Sequence, residues 1–316
     1  MSDVDLEIGE NQSRFKRLRK PVLNQRVAGV AAWFILLVSI SQALTAQDAK
    51  PDSAAVATAA EVEWQTEQIT EGIIWKKYQG DELYNARLSI NLIEVDLRSS
   101  DFMLKLAYSD TGLINTSDFA KLNEAIAAVN GSFFDMERGL PVVYIKAEGE
   151  TISRGAPGRN VYTENGGIGW NTEELPVIVS RPENGWASSA YQNILASGPM
   201  LIHDKQTKEF NNDPFHQNRH PRTGVAITAD QKMLLVTVDG RSFQSYGLTI
   251  PELARFFSEL GATDALNLDG GGSTVMWIDD KVDNGGVVSY PSGNFEFDHE
   301  GERAVSTALL ILKKKE

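Results

Sequence analysis

Alternating apolar and polar residues constrain the fold of this chain more than any other feature of its sequence. Residues 88–97 read LSINLIEVDL, and residues 103–108 read MLKLAY. A period of two places the apolar side chains on one face of a strand, as in a sheet with one buried face. The polar segment 98–101 between them fits a hairpin connection. These residues therefore predict two paired, half-buried strands.

The second half of the chain predicts further strands. Residues Thr223–Thr228 and Met233–Asp239 have the pattern of neighbouring strands, joined by the short polar segment 229–232. A short strand is expected over Ala265–Leu268, and the apolar run Ala304–Leu312 predicts a buried strand. Strand-like patterns therefore dominate both halves of the sequence.

Two segments carry the signals of helix starts. Residues Thr249–Glu252 form a capping box with an early proline, and Gly261 marks the end of that helix. A second helix is expected from Thr116 or Ser117 to about Ala127. Its apolar face comprises Phe119, Leu122, Ala125 and Ile126. Few helices among many strands predict an α+β fold, in which a mixed β-sheet core carries a few packed helices in a single domain.

Composition excludes several classes of protein. The 316 residues include 43 acids and 30 bases, giving a net charge of −13. This acidity argues against a nucleic-acid partner, because such proteins present a basic face to the phosphates. The chain has no cysteine, which excludes disulfides, thiolate metal sites and a cysteine nucleophile.

The N-terminal residues have the order of an export segment. A basic cluster within residues 14–26 precedes an apolar run over Val27–Ile40, and small residues follow up to Ala46. This order predicts a signal peptide, with Ser41-x-Ala43 as one cleavage site. Extended to Ala46, the same stretch reaches the twenty residues of a membrane anchor, so both interpretations stay open.

The export segment also sets the expected location and domain plan. In both interpretations the positive charge on its N-terminal side places the remainder outside the cytoplasm, as a periplasmic, extracellular or membrane-anchored protein. We expect a signal peptide or anchor over residues 1–46, a small and polar linker over 47–63, and one domain over 64–316.

Four segments contain more glycine and polar residues than packing requires. Each is expected at a strand end or tight turn, where glycine lets a ligand approach the main chain and successive N–H groups bind anions. The triple glycine lacks the spacing of a dinucleotide or Walker motif, so a plain turn held by Asp269 is the alternative. The segments are Asn130–Asp135, Ser197–Ile202, His220–Gly224 with Val238–Arg241, and Asn267–Thr274.

The order of these motifs resembles the phosphodiester glycosidase family. The resemblance covers roughly residues 85–312, and it depends on the ordered set because no single motif is decisive. It implies a single catalytic domain that cleaves glycosyl phosphodiester bonds. The motifs are Asn130-Gly131-x-Phe133-Phe134, Ser197-Gly198-Pro199, Arg222-Thr223-Gly224, Val238-Asp239-Gly240-Arg241, Leu268-Asp269-Gly270-Gly271-Gly272-Ser273 and Glu302-Arg303-Ala304-Val305-Ser306.

The implied chemistry suggests roles for the arginines and backbone amides. The leaving group is a phosphate monoester with a second pKa of about 6, so it departs without strong acid help. The site must therefore hold the phosphate with cations or N–H groups. Arginine's planar fork suits phosphate oxygens, which makes Arg222, Arg241 and Arg303 candidates. Gly270, Gly271, Gly272 and Ser273 would supply N–H or hydroxyl donors.

The same chemistry requires a carboxylate that stabilises an oxocarbenium ion or activates water. We expect Asp269 to be this nucleophile or base, since three glycines leave its carboxylate open to substrate. Asp239 is the second candidate and Glu302 the third, although Glu302 equally fits a structural ion pair with Arg303 or its neighbours. Asn130 fits either a hydrogen bond to a sugar hydroxyl or a tight turn.

The predicted function is an exported hydrolase that cleaves sugar-1-phosphodiesters or related glycans in envelope or extracellular polymers. The alternatives are an ordinary glycoside hydrolase without a phosphate requirement and a non-catalytic glycan-binding protein on the same fold. The expected partner is a sugar-phosphate or polysaccharide substrate, with no nucleic acid and with membrane contact only through the N-terminal segment. The sequence specifies no cofactor, and a calcium or magnesium site built from scattered acids stays open.

Overall fold

The structure, a computed structural model, describes residues 57–99, 101–156, 164–172, 174–279, 281 and 284–314. The expected export segment and the linker up to residue 56 therefore lie outside the described residues. Within the described part of the chain, no helix is both long and apolar enough to span a membrane.

Eight strands form the largest sheet. Every pairing between them is antiparallel, and the central strands bury both faces. In spatial order the strands are β1 (Gln65–Thr70), β2 (Ile73–Gly80), β3 (Leu88–Asp96), β16 (Lys232–Val238), β15 (Arg222–Thr228), β17 (Ala262–Asn267), β13 (Met200–His203) and β14 (Gln206–Thr207).

Two smaller sheets and a short hairpin complete the described strands. One sheet comprises β11 (Val177–Ser180), β10 (Gly166–Trp170), β12 (Asn193–Ser197), β8 (Tyr144–Ala147) and β9 (Glu150–Arg154). The other comprises β18 (Met276–Ile278), β5 (Ala125–Asn130), β19 (Thr307–Lys313) and β4 (Phe102–Tyr108). The hairpin pairs β6 (Phe134–Asp135) with β7 (Leu140–Pro141). Ladder pairs are antiparallel throughout these described strands, so the mixed sheet that we expected is not observed. The hairpin predicted for residues 88–97 and 103–108 is also wrong, because β3 pairs with β2 and β16 in the large sheet whereas β4 pairs with β19.

Three α-helices lie within the described residues: α1 (Thr116–Leu122), α2 (Pro214–Gln217) and α3 (Ile250–Glu259). The capping box predicted for α3 is confirmed. The Thr249 hydroxyl accepts from the Glu252 amide at 3.1 Å, and the Glu252 carboxylate accepts from the Thr249 amide at 2.9 Å. The sheet-dominated fold with few helices agrees with the predicted α+β class in outline.

The helix predicted to reach Ala127 is shorter than expected. It ends at Leu122, and Glu124 takes a left-handed backbone with φ of 53° before β5 begins at Ala125. Leu122, expected on the buried face, is 74% exposed. The reason is that strand pairing on both sides of β5 outweighs local helical periodicity for these small apolar residues.

Two main cores lie on opposite faces of the large sheet. Alternate side chains of β3 illustrate the division, since Leu92 packs in the core with α3 and Ile93 packs in the core with the smaller sheets. The polar residues of β3 are also buried, so this strand is not half-buried as its alternation suggested. Ser89 and Asn91 have no exposed surface, and each forms a side-chain hydrogen bond.

The end of the predicted linker packs against the domain. Ala59 is fully buried, its amide donates to the Glu259 carboxylate at 2.8 Å, and its carbonyl accepts from the Trp64 indole at 2.9 Å. Ala57 forms a backbone bridge with Leu83. These contacts tie residues 57–63 to α3 and to the segment between β2 and β3, while the proposed domain boundaries stay a prediction.

Candidate active site

Strand ends from two sheets meet where the sequence places its glycine-rich segments. In the large sheet, Arg222 at the start of β15 lies opposite Val238 at the end of β16. Gly224 of β15 lies opposite Asn267 at the end of β17. In the four-stranded sheet, Asn130 ends β5. In an antiparallel sheet the start of one strand lies beside the end of its neighbour, so the loops at these strand ends come together at one edge of the sheet.

Asn130 joins the two sheets. Its side chain has no exposed surface, and its Oδ1 accepts from the Thr223 hydroxyl at 2.7 Å and from the Val275 amide at 3.1 Å. Its Nδ2 donates to the Asp269 carbonyl at 2.7 Å, and the Asp269 amide donates to Gly131 at 3.1 Å. Asn130 thus holds the Asp269 backbone in place, and of its two interpretations the geometry favours the structural one.

The Asp269 carboxylate is held in one orientation. Its Oδ1 accepts from the Gly270 amide at 2.9 Å, and its Oδ2 accepts from the Ser273 hydroxyl at 2.7 Å. The side chain is 16% exposed, and the nearest guanidinium nitrogen of Arg303 lies 3.9 Å from Oδ2. Arg303 also donates to the Ser273 hydroxyl. Asp269 therefore reaches the surface as a fixed carboxylate beside a cation.

Two guanidinium groups lie against the triple glycine. A Cβ atom added to Gly271 would lie 2.9 Å from Nη2 of Arg241, and one added to Gly272 would lie 3.2 Å from Cζ of Arg303. Arg241 is exposed, and within the described residues its guanidinium pairs with no carboxylate. Glycine is favoured at Gly271 by its φ of 61°, and a Cβ atom at either position would push the flexible end of an arginine aside.

The backbone amides of the turn are largely used internally. The Gly270 amide donates to Asp269, and the Gly271 amide donates to the Pro221 carbonyl at 2.8 Å. The Ser273 amide donates to the Gly270 carbonyl at 3.2 Å, and the Ser273 hydroxyl serves Asp269. These three N–H groups already have partners within the protein. The arginine side chains, and not these amides, are therefore the groups that can bind an anion here.

Arg222 supports the framework instead of lying at the surface. It is 2% exposed, and it donates to the carbonyls of Leu248 at 2.9 Å, Phe215 at 2.7 Å and Asn218 at 3.1 Å. Burial, with a smaller effect from the Arg241 charge, lowers the pKa of Arg222 to about 10. The phosphate contact expected of Arg222 does not fit this position, because the side chain is buried and three of its N–H groups bind the carbonyls of Phe215 in α2, Asn218 after it and Leu248 before α3.

Asp239 is a buried carboxyl directly after β16. It is 1% exposed, and it accepts from the Ser89 hydroxyl at 2.7 Å and from the Tyr290 amide at 2.8 Å. Burial raises the pKa of Asp239 to about 7. The carboxyl is thus placed to hold β3, β16 and the segment around Tyr290 together, two residues before Arg241, and it is not open to a substrate.

Glu302 caps a helix instead of facing the site. Its carboxylate accepts from the Ser117 amide at 2.8 Å in the first turn of α1, where a negative charge also suits the helix dipole. Burial raises the pKa of Glu302. Arg303 turns the other way, toward Asp269, so the structural role expected for Glu302 fits the geometry although its partner is α1 and not Arg303.

Some residues that border the site were not among the predicted site residues. The Arg303 guanidinium lies 5.7 Å from the centre of the Phe134 ring, and its Nη1 lies 3.7 Å from the Met136 sulfur. The β6–β7 hairpin therefore borders the site. Phe134 lies in one of the motifs given above, whereas no motif indicated Met136. Ser89 was detectable, because a small polar residue in an otherwise apolar strand suggests a buried polar partner.

A candidate cation site lies elsewhere in the described residues. His203, Asp204 and Asp264 bring their ligand atoms within 4.8 Å of one another. Asp264 is near the start of β17, whereas Asp269 follows its end, so this cluster and the candidate active site lie at opposite ends of that strand. A divalent cation at the active site stays a prediction.

The chain belongs to the phosphodiester glycosidase family, whose model matches residues 123–312. All of the candidate residues discussed above except Ser89 and Ser117 fall within that match.

Individual relatives agree with the family. The N-acetylglucosamine-1-phosphodiester alpha-N-acetylglucosaminidase of Mus musculus is 28% identical over 199 residues, which cover 58% of this chain and 37% of that protein. A prophage-derived uncharacterized protein of Bacillus subtilis is 28% identical over 139 residues, covering 39% of this chain and 22% of the relative. The chain thus spans less than two fifths of the length of either relative.

A solved structure has the same fold. The catalytic domain of zebrafish N-acetylglucosamine-1-phosphodiester alpha-N-acetylglucosaminidase, auto-inhibited by its pro-peptide, matches with a TM-score of 0.60. The match covers 80% of this chain and 88% of that domain at 20% sequence identity. This similarity supports the arrangement of sheets described above.

The Asn130 network predicts a large loss of stability on truncation. Asn130→Ala removes the hydrogen bonds that its side chain makes with the Asp269 carbonyl, the Thr223 hydroxyl and the Val275 amide, so we expect a cost of about 2–4 kcal/mol in the free energy of unfolding. Urea denaturation measures it. The control Asn123→Ala removes one hydrogen bond at the end of α1 and should cost about 1 kcal/mol or less. Equal costs for the two variants would contradict the role assigned to Asn130.

Asp239 predicts a pH-dependent contribution to stability. Its pKa is about 7 when folded and near its ordinary value of 3.8 when unfolded, so between these values only the folded state binds the proton. The stabilisation is complete below pH 3.8 and is lost as pH rises through 7, at up to about 1.4 kcal/mol per pH unit. Asp239→Asn should abolish this slope.

The measurement is urea unfolding of both proteins at half-unit intervals from pH 5 to 8. Other titrating groups are common to both proteins, so the difference in the free energy of unfolding isolates Asp239. Asp110→Asn, at an exposed carboxyl, is the control and should leave the wild-type slope in place. Parallel stability curves for wild type and Asp239→Asn would show that the buried carboxyl is already ionised at pH 5.

Proposed function

We propose that this chain is a hydrolase that cleaves the glycosidic bond of sugar-1-phosphodiesters. The observation that carries the proposal is the pair of guanidinium groups, Arg241 and Arg303, lying against Gly271 and Gly272 beside the fixed carboxylate of Asp269. Membership of the phosphodiester glycosidase family supports the reaction class.

The two arginines suit the phosphate of such a substrate. A phosphodiester carries one negative charge on two non-bridging oxygens, and planar guanidinium groups donate to such oxygens in pairs. Arg241 brings an exposed guanidinium without a carboxylate partner in the described residues. Their charge would also stabilise the leaving phosphate monoester, on which negative charge develops as the bond breaks.

Asp269 suits the anomeric carbon. As the bond between this carbon and the phosphate oxygen breaks, the sugar acquires oxocarbenium character, which a nearby carboxylate stabilises. Asp269 then either attacks the carbon and is displaced by water, or removes a proton from the attacking water. The Gly270 amide and the Ser273 hydroxyl keep the carboxylate oriented for either course. Because the leaving group is a good one, a strong general acid is unnecessary.

In this proposal Asp239 does not touch the substrate, and its role is to position the loop that carries Arg241. Its carboxyl is enclosed, but its backbone continues through Gly240 to Arg241, and its side chain fixes the start of that turn to Ser89 and Tyr290. A protonated carboxyl is compatible with these contacts, because the Ser89 hydroxyl can accept as well as donate.

The proposed substrates are glycans with sugar-1-phosphodiester bonds in envelope or extracellular polymers. The name of the mouse relative describes action on N-acetylglucosamine-1-phosphodiester with the alpha configuration, so these compounds are the first to test here. An ordinary glycoside hydrolase would have no need of the two arginines, which is why we prefer the phosphodiester class.

The direct test is release of reducing sugar from a panel of sugar-1-phosphodiesters, including a nucleotide sugar, by the full chain. Asp269→Asn should lower kcat by about a thousandfold or more, and Arg303→Ala and Arg241→Ala by about a hundredfold, because each removes a charge that stabilises the transition state. Arg154→Ala removes the same charge from exposed β9 and is the matched control. Runs with a chelator test the cation requirement.

Neutral aglycones distinguish the alternatives. The proposal expects turnover to fall steeply when a methyl or nitrophenyl group replaces the phosphate, and expects Arg241→Ala to have little further effect on such a substrate. Undiminished turnover would indicate an ordinary glycoside hydrolase. Saturable binding without turnover across the whole panel would indicate a glycan-binding protein.

We also propose that the domain acts outside the cytoplasm. Support comes from the basic cluster within residues 14–26 and the apolar run over Val27–Ile40. A reporter enzyme active only outside the cytoplasm, fused to the C-terminal end and expressed in a bacterial host, should be active with the full chain and inactive without residues 1–46. Activity of both fusions would contradict export by this segment. A mature N-terminus near residue 44 would indicate cleavage, and an intact membrane-bound chain would indicate an anchor.

A further inference from the structure

An exposed aromatic group lies on the loop that carries Arg241. Phe243 is 72% exposed and Tyr246 is 39% exposed. The Arg87 guanidinium contacts both rings, with its Cζ 3.5 Å from the centre of the Phe243 ring and 5.3 Å from that of Tyr246. We call Arg87, Phe243 and Tyr246 the aromatic platform.

The platform is attached to the framework of the site. The Tyr246 amide donates to the Arg87 carbonyl at 2.9 Å, which joins the loop to the chain just before β3. The Ser245 hydroxyl donates to the Asp239 carbonyl at 2.6 Å and accepts from the Ser89 amide at 3.0 Å. Ser242 and Ser245 close the turn that carries Phe243 at its tip. The ring is therefore held outward by a braced loop, although exposure of a large apolar side chain is unfavourable.

The platform adjoins the proposed phosphate site. Phe243 follows Arg241 by two residues, so their Cα atoms lie within about 7 Å of each other. A Cβ atom at Gly271 would contact the Arg241 guanidinium, and a Cβ atom at the next residue, Gly272, would contact the Arg303 guanidinium. A phosphate bound at Arg241 would thus lie on the same short loop as Phe243, within reach of a ligand that continues beyond this phosphate by one further unit.

The charge and shape of the platform select the ligand. An exposed aromatic face stacks on the apolar face of a sugar ring, and a guanidinium binds phosphate oxygens. Arg87 forms no ion pair or side-chain hydrogen bond with any described residue, so its donors remain available. In a chain of net charge −13, unpaired arginines in adjoining loops provide local attraction for an anion that the rest of the surface would repel.

We propose that the aromatic platform is a subsite for the next glycosyl phosphate unit of an anionic polymer, on the far side of the scissile bond from the sugar that is released. The inference rests on the proposed function and makes it more specific: the substrate is a chain of repeating sugar phosphates, not an isolated phosphodiester. Phe243 stacks on the second sugar, and Arg87 binds the second phosphate.

The test compares two probes on the full-length protein. One is the methyl ester of α-N-acetylglucosamine 1-phosphate, and the other has the same scissile bond followed by a second N-acetylglucosamine phosphate. Phe243→Ala and Arg87→Ala should each lower kcat/KM for the two-unit probe by about tenfold more than for the one-unit probe, mainly through KM. Arg87→Lys keeps the charge and loses the planar stack, so it should fall between Arg87→Ala and wild type.

Matched controls separate the platform from general effects. Leu122→Ala removes a side chain of similar exposure from α1, and Arg154→Ala removes one positive charge from β9. In both control variants the change in kcat/KM should be the same for the two probes. An equal loss on both probes in the Phe243 and Arg87 variants would indicate that the loop merely supports Arg241, and no loss on the two-unit probe would exclude the subsite. Either result overturns the proposal.

Binding measurements separate this inference from the proposed function. If neither probe is hydrolysed, the proposed function is wrong. Calorimetric titration can still compare the affinities of the two probes in that case. The subsite requires the two-unit probe to bind about tenfold more tightly than the one-unit probe, with the difference abolished in Phe243→Ala. Equal affinities in wild type would overturn the subsite whether or not the protein turns over any member of the panel.

Discussion

The position of the candidate site depends on the hydrogen bonds of one buried amide. Asn130 has no exposed surface, and it joins the end of β5 to Thr223 of β15 and to the Asp269 backbone beyond β17. An amide side chain can do this because its oxygen accepts from two donors while its nitrogen donates to a carbonyl. Burial away from water makes each of these bonds costly to lose. The packing of the sheets therefore positions the backbone of Asp269, and its own loop then orients the carboxylate through the Gly270 amide and the Ser273 hydroxyl.

The rest of the site follows from this attachment. With the Asp269 backbone fixed, three glycines allow the turn to pass close under two arginines, which a Cβ atom at Gly271 or Gly272 would displace. Asp239 makes the equivalent attachment for the neighbouring loop, since Ser89 and Tyr290 both donate to its enclosed carboxyl. Two buried polar groups thus place the backbone of Asp269 and the start of the loop that carries Arg241, while Arg303 is held by Ser273 and Asp269 themselves. Such preorganisation is what stabilisation of a developing charge requires.

The sequence predicted the elements better than the contacts. The capping box of α3 and the strands around Met233 and Thr223 were predictable because propensity, periodicity and burial agree there. The end of α1 was not, because pairing of β5 with two neighbours outweighs a helical pattern in small apolar residues. Motifs brought Asp269, Arg241 and Arg303 to notice, but they equally suggested Arg222. Burial separates that residue from the others, and burial depends on contacts distant in sequence, such as that with Leu248.

The environments of the individual arginines explain how a chain with a net negative charge could bind an anionic substrate. Arg222 is spent on backbone carbonyls inside the protein, and Arg303 is shared between Asp269, Ser273 and the Phe134 ring. Arg241 and Arg87 have no carboxylate partner among the described residues, and their loops meet through the Tyr246 amide. Because solvent and salt screen exposed charges beyond about 10 Å, the net charge of the whole chain matters less to a bound phosphate than these neighbours do. The positive potential is therefore local, and a polymer with regularly spaced phosphates is the ligand that would use every part of it.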